Sequence, residues 1–486
     1  MKVSLLVVLI LTTTQCLAQA VESPGYSVDQ LKQDFQVFQG SLEDFHPGLY
    51  TFQRQESMQH IFRQSFEALV QPMTEQTFLR HLAAVATQIG CGHTDVSLSE
   101  ASEKALSNFL PLKLRFIEEK AFFLKEYSAD PSLPLTPGDE IIAIDGIPLR
   151  EWTRNYLTIL TGDGSITTGK YHSLNTYFWY IHTYYTGGRE VYELEYRDSI
   201  GHIRSASIQA LDREAMYERY REEDRAANQE NLSLSYLHDP TIAVLTIRSF
   251  FDWQKEGKRI HFNQRLEEIF QELQQEKIDR LIIDLRDNGG GKEPWRLFAH
   301  FHHEPVTFAK QAAYIYTSKS AYAPYQQLDP SMRWIRRRTL NSLLPGANHT
   351  RKLNDSTYAL TGLFLVKPFK PLFPQFDGKV VVLTNGGTFS AAALFTSMMH
   401  SYEKARFVGE ETGGAYHGNN SMNPTIVTLP NTKLRIEIPL VKYTLDVNEK
   451  VPLGRGTIPD HEVVPAMSDL LHGIDGQMNK AVELLR

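Results

Sequence analysis

The sequence predicts an α/β protein in which a mostly parallel sheet covered by helices fills the second half, preceded by a helical segment and a β-rich segment. Three observations carry this. Between residues 27 and 89 apolar side chains recur at helical spacing, and between about 110 and 211 the period shortens towards two. After residue 240 the continuous apolar strands "TIAVLTI", "RLIIDLR" and "KVVVLT" appear, the last two running into glycines and a helix-like stretch. A chain of 486 residues exceeds one ordinary core, and its 42% hydrophobic and 22% charged content is that of a globular protein. A formal charge of -7 excludes nucleic acid as the main partner, because binding that polyanion needs clustered positive charge. The one basic knot, Arg333 with Arg336, Arg337 and Arg338, reads as a solvated face.

The first twenty residues, "MKVSLLVVLILTTTQCLAQA", place one Lys before an apolar run too short to span a bilayer, then Ala18-Gln19-Ala20. This is the layout of an export signal cleaved after Ala20, so residues 1–20 are set aside from the fold. A lipid anchor on Cys16 fits less well, with bulky Gln15 just before it. After cleavage Cys91 has no partner for an intrachain disulfide, and no later segment is apolar enough to span a membrane.

From Ser27 to Phe45 the residues Leu31, Phe35, Phe38, Leu42 and Phe45 stripe one helical face, and Ser27 with Gln30 has the form of a capping box. His46-Pro47-Gly48 ends that helix. Further helical patterns at 58–70 and 75–89 make residues 21–105 a small helical domain, running out into "IGCGHTDVSL". Residues 106–211 read as strands, and within them "LTPGDEIIAIDGIPL" combines a Pro-Gly turn, an apolar strand and an Asp-Gly hairpin turn. That stretch resembles a PDZ domain. The Tyr-rich insert, residues 171–188, reads as core and turn rather than ligand surface. Residues 212–232 are charged and nearly core-free, suiting a linker or an exposed helix, and residues 233–486 form the α/β core.

Two stretches of that core have the form of chemistry. In "LIIDLRDNGGG" a buried strand delivers three glycines, Gly289, Gly290 and Gly291, whose amides can turn to a common point without Cβ interference. No Gly-Lys-Ser/Thr follows, so a phosphate loop is disfavoured, and an oxyanion hole or a plain turn remains. In "TNGGTFSAAALF" a strand ends at glycines and Ser390 stands where a helix begins, at the carboxyl edge of the sheet. Alone, Ser390 fits a helix N-cap equally well.

Taken in order, "DLRDNGGG", "GGTFSAAALF", "KARFVGEETGG" and "GTIPDHEVVP" resemble peptidase family S41, which includes the C-terminal processing and tricorn core proteases. The resemblance implies a crotonase-like (ClpP/crotonase-type) α/β protease core behind the helical and PDZ-like domains. It also implies a nucleophile at Ser390, and oxyanion donors from the segments holding Gly289, Gly290 and Ala391. One branch of the family takes its base from a lysine soon after the "GExT" motif, whereas residues 409–420 here read "GEETGGAYHGNN" with no lysine. The tricorn-like branch uses a histidine ahead of its PDZ domain, which "IGCGHTDV" matches at His93. A neutral imidazole has the basicity this requires.

His417 is the rival base, His46 a candidate for lining the cleft, and His461 beside Asp460 reads as structural. The tricorn-like branch also orients its histidine with a carboxylate near the C-terminus, acting through a serine. Gly92 stands at the place of that serine, leaving Asp95, Glu411 and Asp460 as candidates or a Ser-His dyad. There is no His-Glu-x-x-His motif and no thiolate cage, so neither a metal nor another cofactor is expected. Glu410-Glu411 reads as a solvated pair. The expectation is an exported serine endopeptidase whose partner is a peptide or protein, with its C-terminus received by the PDZ-like domain. The alternatives are a catalytically silent binding protein of the same fold and a core handling a small acyl or lipid ligand.

Overall fold

A computed structural model describes residues 25–117, 119–128, 133–227, 230–239, 241–255, 257–317, 320–327, 349–422 and 424–486. The expected signal at 1–20 and the arginine knot at 333–338 lie outside the described residues.

Ser27 opens the helix Val28–Phe45 with the reciprocal cap its spacing predicts: Gln30 N donates to Ser27 Oγ at 3.4 Å, and Ser27 N donates to Gln30 Oε1 at 2.9 Å. Leu31, Phe35, Phe38 and Leu42 are fully buried on its inner face, each contributing about 1.5–3 kcal/mol. Helices Gln55–Glu67 and Glu75–Ala86 complete this layer. A short 3₁₀ turn and Gly90, at φ 69°, then swing the chain past His93 into the strand Asp95–Ser97. That strand does not pair locally. It runs antiparallel to Arg435–Ile438, more than 330 residues on, and so docks the N-terminal helices onto the C-terminal half.

An antiparallel sheet follows, in the order Leu112–Ile117, Lys120–Glu126, Glu140–Ile144, Val191–Arg197 and Ile203–Gln209. The Asp-Gly hairpin has the geometry its sequence predicts, with Asp145 at φ 52° and Gly146 at φ 74°. The Tyr-rich stretch is part of the helix Thr168–Thr186, which buries Leu174, Phe178, Trp179 and Ile181. The charged run after it is the helix Arg213–Ala227, held by buried Met216 and by Tyr217 edge-on to Phe109 and Trp179. Side chains of the N-terminal helices, of this sheet and of the hairpin around Thr425–Thr428 and Arg435–Ile438 form one continuous buried cluster. The boundary expected at 105 therefore does not separate two cores.

Among the described residues the central sheet orders His461–Glu462, Arg406–Gly409, Lys379–Thr384, Arg280–Asp284, Ile242–Ile247 and Leu232–Tyr236. All neighbours are parallel except the last pair. Its central strands are largely apolar because both faces are covered: Leu281, Ile283, Val380 and Val382 face the helices Phe262–Gln275 and Ala391–Ser401, while Ile282, Val381 and Leu383 face Gly476–Leu485.

Candidate active site

The strands Arg280–Asp284 and Lys379–Thr384 are parallel neighbours with Asp284 opposite Leu383, so the loops at their carboxyl ends emerge side by side. Asn288 stitches them together. Its Nδ2 donates to Ile247 O at 2.8 Å, its Oδ1 accepts from Gly290 N at 2.8 Å, and its carbonyl accepts from Phe389 N at 2.9 Å. Thr388 Oγ1 adds a bond to Leu285 O at 2.8 Å. Gly290, at φ 109°, lies directly against the serine turn: a Cβ there would come within 2.7 Å of Ser390 Cβ and 2.8 Å of Ala391 N. Only glycine fits both the space and the dihedral.

Ser390 sits at φ 50°, ψ -122°, at the start of the helix Ala391–Ser401, and its side chain makes no capping bond. Such a backbone costs about 1–3 kcal/mol and persists where the surroundings enforce it. Here buried Ala391, Ala392 and Ala393 pin the helix, and a Cβ on Gly414 would fall 2.6 Å from Ala393 Cβ. The strained turn aims the hydroxyl outward, and His93 Nε2 lies 3.1 Å from Ser390 Oγ. The imidazole stacks on Phe389 with ring centres 4.7 Å apart. Burial holds its pKa below the usual 6.5, opposed by the charge of Asp163. Its Nδ1 has no hydrogen-bond partner among the described residues.

The amides near Ser390 differ in their commitments. The Gly290 N–H, expected to face a substrate oxygen, is already donated to Asn288 Oδ1. Ala391 N and Gly289 N make no hydrogen bond among the described residues, and Gly289 is exposed. The geometry thus brings together Ser390, His93, Ala391 and the glycine loop, with Gly290 in close packing beneath the serine.

The other candidates are engaged elsewhere. His46 is buried, donating from Nε2 to Thr94 Oγ1 at 2.8 Å and accepting from Gly48 N on Nδ1 at 3.1 Å; burial lowers its pKa to about 3. It supports the His93 loop from beneath. His417 lies on a cavity of about 100 Å³ with Asn420 and Lys442, makes no bond to Ser390, and has its pKa lowered by burial, opposed by the carboxylate of Glu449. Glu411 is taken by Arg455, at 2.8 and 2.7 Å, and by Gly456 N at 2.7 Å. Asp460 accepts from Phe407 N at 2.7 Å, exposed Asp95 faces Glu437 across a strand pair, and His461 lies in an edge strand of the central sheet.

A carboxylate that the sequence did not single out stands closer. Asp163, 2% exposed, accepts from Gly92 N at 2.8 Å and from Ala415 N at 3.1 Å. Burial raises its pKa, opposed first by His93. Its only sequence signal is a Thr-Gly-Asp-Gly-Ser stretch, which reads as a turn. Among the described residues no group of three or more His, Cys, Asp or Glu side chains forms a metal-binding cluster, and no helix is long and apolar enough to cross a membrane.

Comparison with known proteins bears on the same region. Residues 241–463 match the family model Peptidase family S41, a span that includes Ser390 and Gly289–Gly291. The structure is similar to that of mature CPAF, with a TM-score of 0.64 at 14% identity over 94% of this chain and 96% of that one. It is likewise similar to mature CPAF complexed with lactacystin, with a TM-score of 0.64 at 14% identity over 94% and 97%. At that identity the likeness is one of fold. The family match spans the strands and loops that bear the serine, and a similar fold runs along nearly the whole chain; residues 241–463 are thus similar to peptidase family S41, and the chain is a serine-type peptidase.

Proposed function

We propose that this chain is an exported serine endopeptidase that hydrolyses peptide bonds through an acyl-enzyme on Ser390, with His93 as general base. The observation that carries it is the 3.1 Å approach of His93 Nε2 to Ser390 Oγ, within reach for proton transfer. An unassisted hydroxyl is a weak nucleophile at neutral pH. Burial keeps His93 neutral, so it takes the hydroxyl proton as Oγ bonds to the substrate carbonyl carbon. The oxyanion accepts from Ala391 N–H and from the glycine loop, where Gly289 N–H is uncommitted and Gly290 N–H contributes if it leaves Asn288. The imidazolium then gives its proton to the leaving amine as the C–N bond breaks. Water repeats the sequence: His93 removes its proton, hydroxide adds to the acyl carbon, and Ser390 leaves with the proton returned.

The layered core is read as crotonase-like, residues 106–211 as a PDZ-like unit taking an extended peptide or its C-terminus by strand addition, and residues 1–20 as an export leader. A fluorophosphonate probe tests the central claim on the full chain: it labels wild type, labels His93→Ala far more slowly, and does not label Ser390→Ala. An unlabelled wild type, or a labelled Ser390→Ala, sinks it.

A further inference from the structure

We infer that Asp163 is the positioning carboxylate of this site, fixing the His93 loop against the serine turn and setting a negative charge near the imidazole. The inference rests on the catalytic reading above. One oxygen of Asp163 accepts from Gly92, the residue before His93, and the other from Ala415. Ala415 follows Gly414, where a Cβ would come within 3.2 Å of Ser390 N. A single buried side chain therefore joins the two segments whose separation decides whether base and hydroxyl meet.

Asp163 is itself clamped. Gly164 N donates to Gly90 O at 2.9 Å and Ser165 N to Gly454 O at 2.9 Å. At Gly164, φ 57°, a Cβ would fall 2.4 Å from Gly454 Cα, so the chain has no room to swing away. Of the carboxylates offered by the sequence, Glu411 and Asp460 are bonded elsewhere and Asp95 faces Glu437 across a strand pair, while His93 Nδ1 has no acceptor among the described residues. For Nε2 to accept the serine proton, the neutral ring carries its own proton on Nδ1 and becomes imidazolium in the transition state. A nearby negative charge favours that cation.

The titratable groups facing the pair come from several elements. His93 meets Asp163, with uncharged Phe389 on its ring face. Asp163 meets His93 and the Cys91 thiol, which burial pushes up to about 12 and keeps neutral. His417 and Lys442 share its cavity, Lys442 Nζ donating to Thr51 Oγ1 at 2.7 Å.

The test measures the rate of fluorophosphonate labelling of the full chain from about pH 5 to about pH 9, which spans the histidine range. Asp163→Asn keeps the shape and removes the charge. The plateau rate should fall about 10- to 100-fold, less than the roughly 10²- to 10⁴-fold that a general base itself supplies. The acid limb should move to lower pH, because the lost carboxylate no longer favours protonated His93. A wild-type rate and limb overturn the inference. So does a slower rate with an unmoved limb, which marks a purely structural residue. If Asp163→Asn does not fold, Asp163→Glu and Asp163→Gln isolate the charge in one shape. The limb of the Glu variant should lie above that of Gln, and coincident limbs refute the assignment. Ser390→Ala runs alongside: labelling that survives there defeats the catalytic reading itself, whereas labelling abolished there with an unchanged Asp163→Asn defeats only the role of Asp163.

Discussion

The two halves of the site are built on different physical plans. The Ser390 half hangs from neighbouring parallel strands whose register, Asp284 opposite Leu383, fixes both loops at once. Its stitching bonds, from Asn288 and Thr388, join residues of those loops to each other and to the next strand. The His93 half has no sheet of its own. His93 arrives on a loop between a 3₁₀ turn and a three-residue strand, and what holds it comes from far away: Arg435–Ile438 through strand pairing, Asp163 through Gly92, and His46 through Thr94. Ser390 is thus fixed by local architecture and His93 by docking.

The largest expected effect strikes the first half alone. Ser390→Ala removes the proposed nucleophile without touching the docking, and hydrolysis of labelled casein should fall by roughly 10⁴- to 10⁶-fold with an unchanged melting profile. Gly290→Ala should come next. Its Cβ would sit 2.7 Å from Ser390 Cβ at φ 109°, adding about 1–3 kcal/mol of backbone strain. Because the displaced turn carries Ala391 N–H, labelling of Ser390 should slow about 100-fold, the scale of losing one oxyanion donor. A Gly290→Ala protein that labels at the wild-type rate would mean the serine turn is looser than its packing implies.

The same contrast decided what could be read in the sequence. Strand, glycine and small-residue helix lie within a dozen residues at Ser390, and a run of apolar residues ending in Gly289–Gly291 is equally local, so both loops could be marked from pattern alone. His93 could not: its loop has no periodicity, and it emerged only through family resemblance and the missing lysine. Asp163 was beyond reach because its partners, Gly92 and Ala415, are 71 and 252 residues away. No local signal announces such contacts. The capture of Gly290 N by Asn288 was legible in principle, since an Asn side chain readily bonds the amide two residues on. The docking strand was hidden for the same reason as Asp163, and with it the single core that runs through the expected boundary at 105.

Docking is also where stability should bear on function. Asp34, fully buried in the first helix, accepts from Thr432 N at 2.8 Å, Thr432 Oγ1 at 2.6 Å, Asn431 N at 2.9 Å and Asn431 Nδ2 at 2.9 Å. Those donors lie in the turn before Arg435–Ile438, so Asp34 fastens the helices that carry His93 to the strand that receives them. Asp34→Asn leaves one acceptor atom for donors now spread over two. It should cost about 2 kcal/mol in urea denaturation, with Ser390 labelling lost at lower denaturant than the parallel sheet unfolds. Coincident loss of labelling and of sheet structure would mean the His93 half does not loosen first.

The smallest effect separates the halves by pH. His46, beneath Thr94, and His182, on the helix Thr168–Thr186 and bonded to Tyr156, both lie on the His93 side, and burial lowers each to about 3 from an ordinary 6.5. The folded chain keeps them neutral, whereas the unfolded chain takes up a proton on each below 6.5. Their contribution is therefore intact above that pH and is lost as the pH falls towards 3. Between about pH 7 and about pH 5 each should withdraw about 2 kcal/mol. His46→Gln keeps a donor for Thr94 and cannot titrate, so its denaturation midpoint should fall less on acidification than that of wild type. An equal fall would mean that water reaches His46 in the folded chain, and that the floor beneath the His93 loop is open rather than sealed.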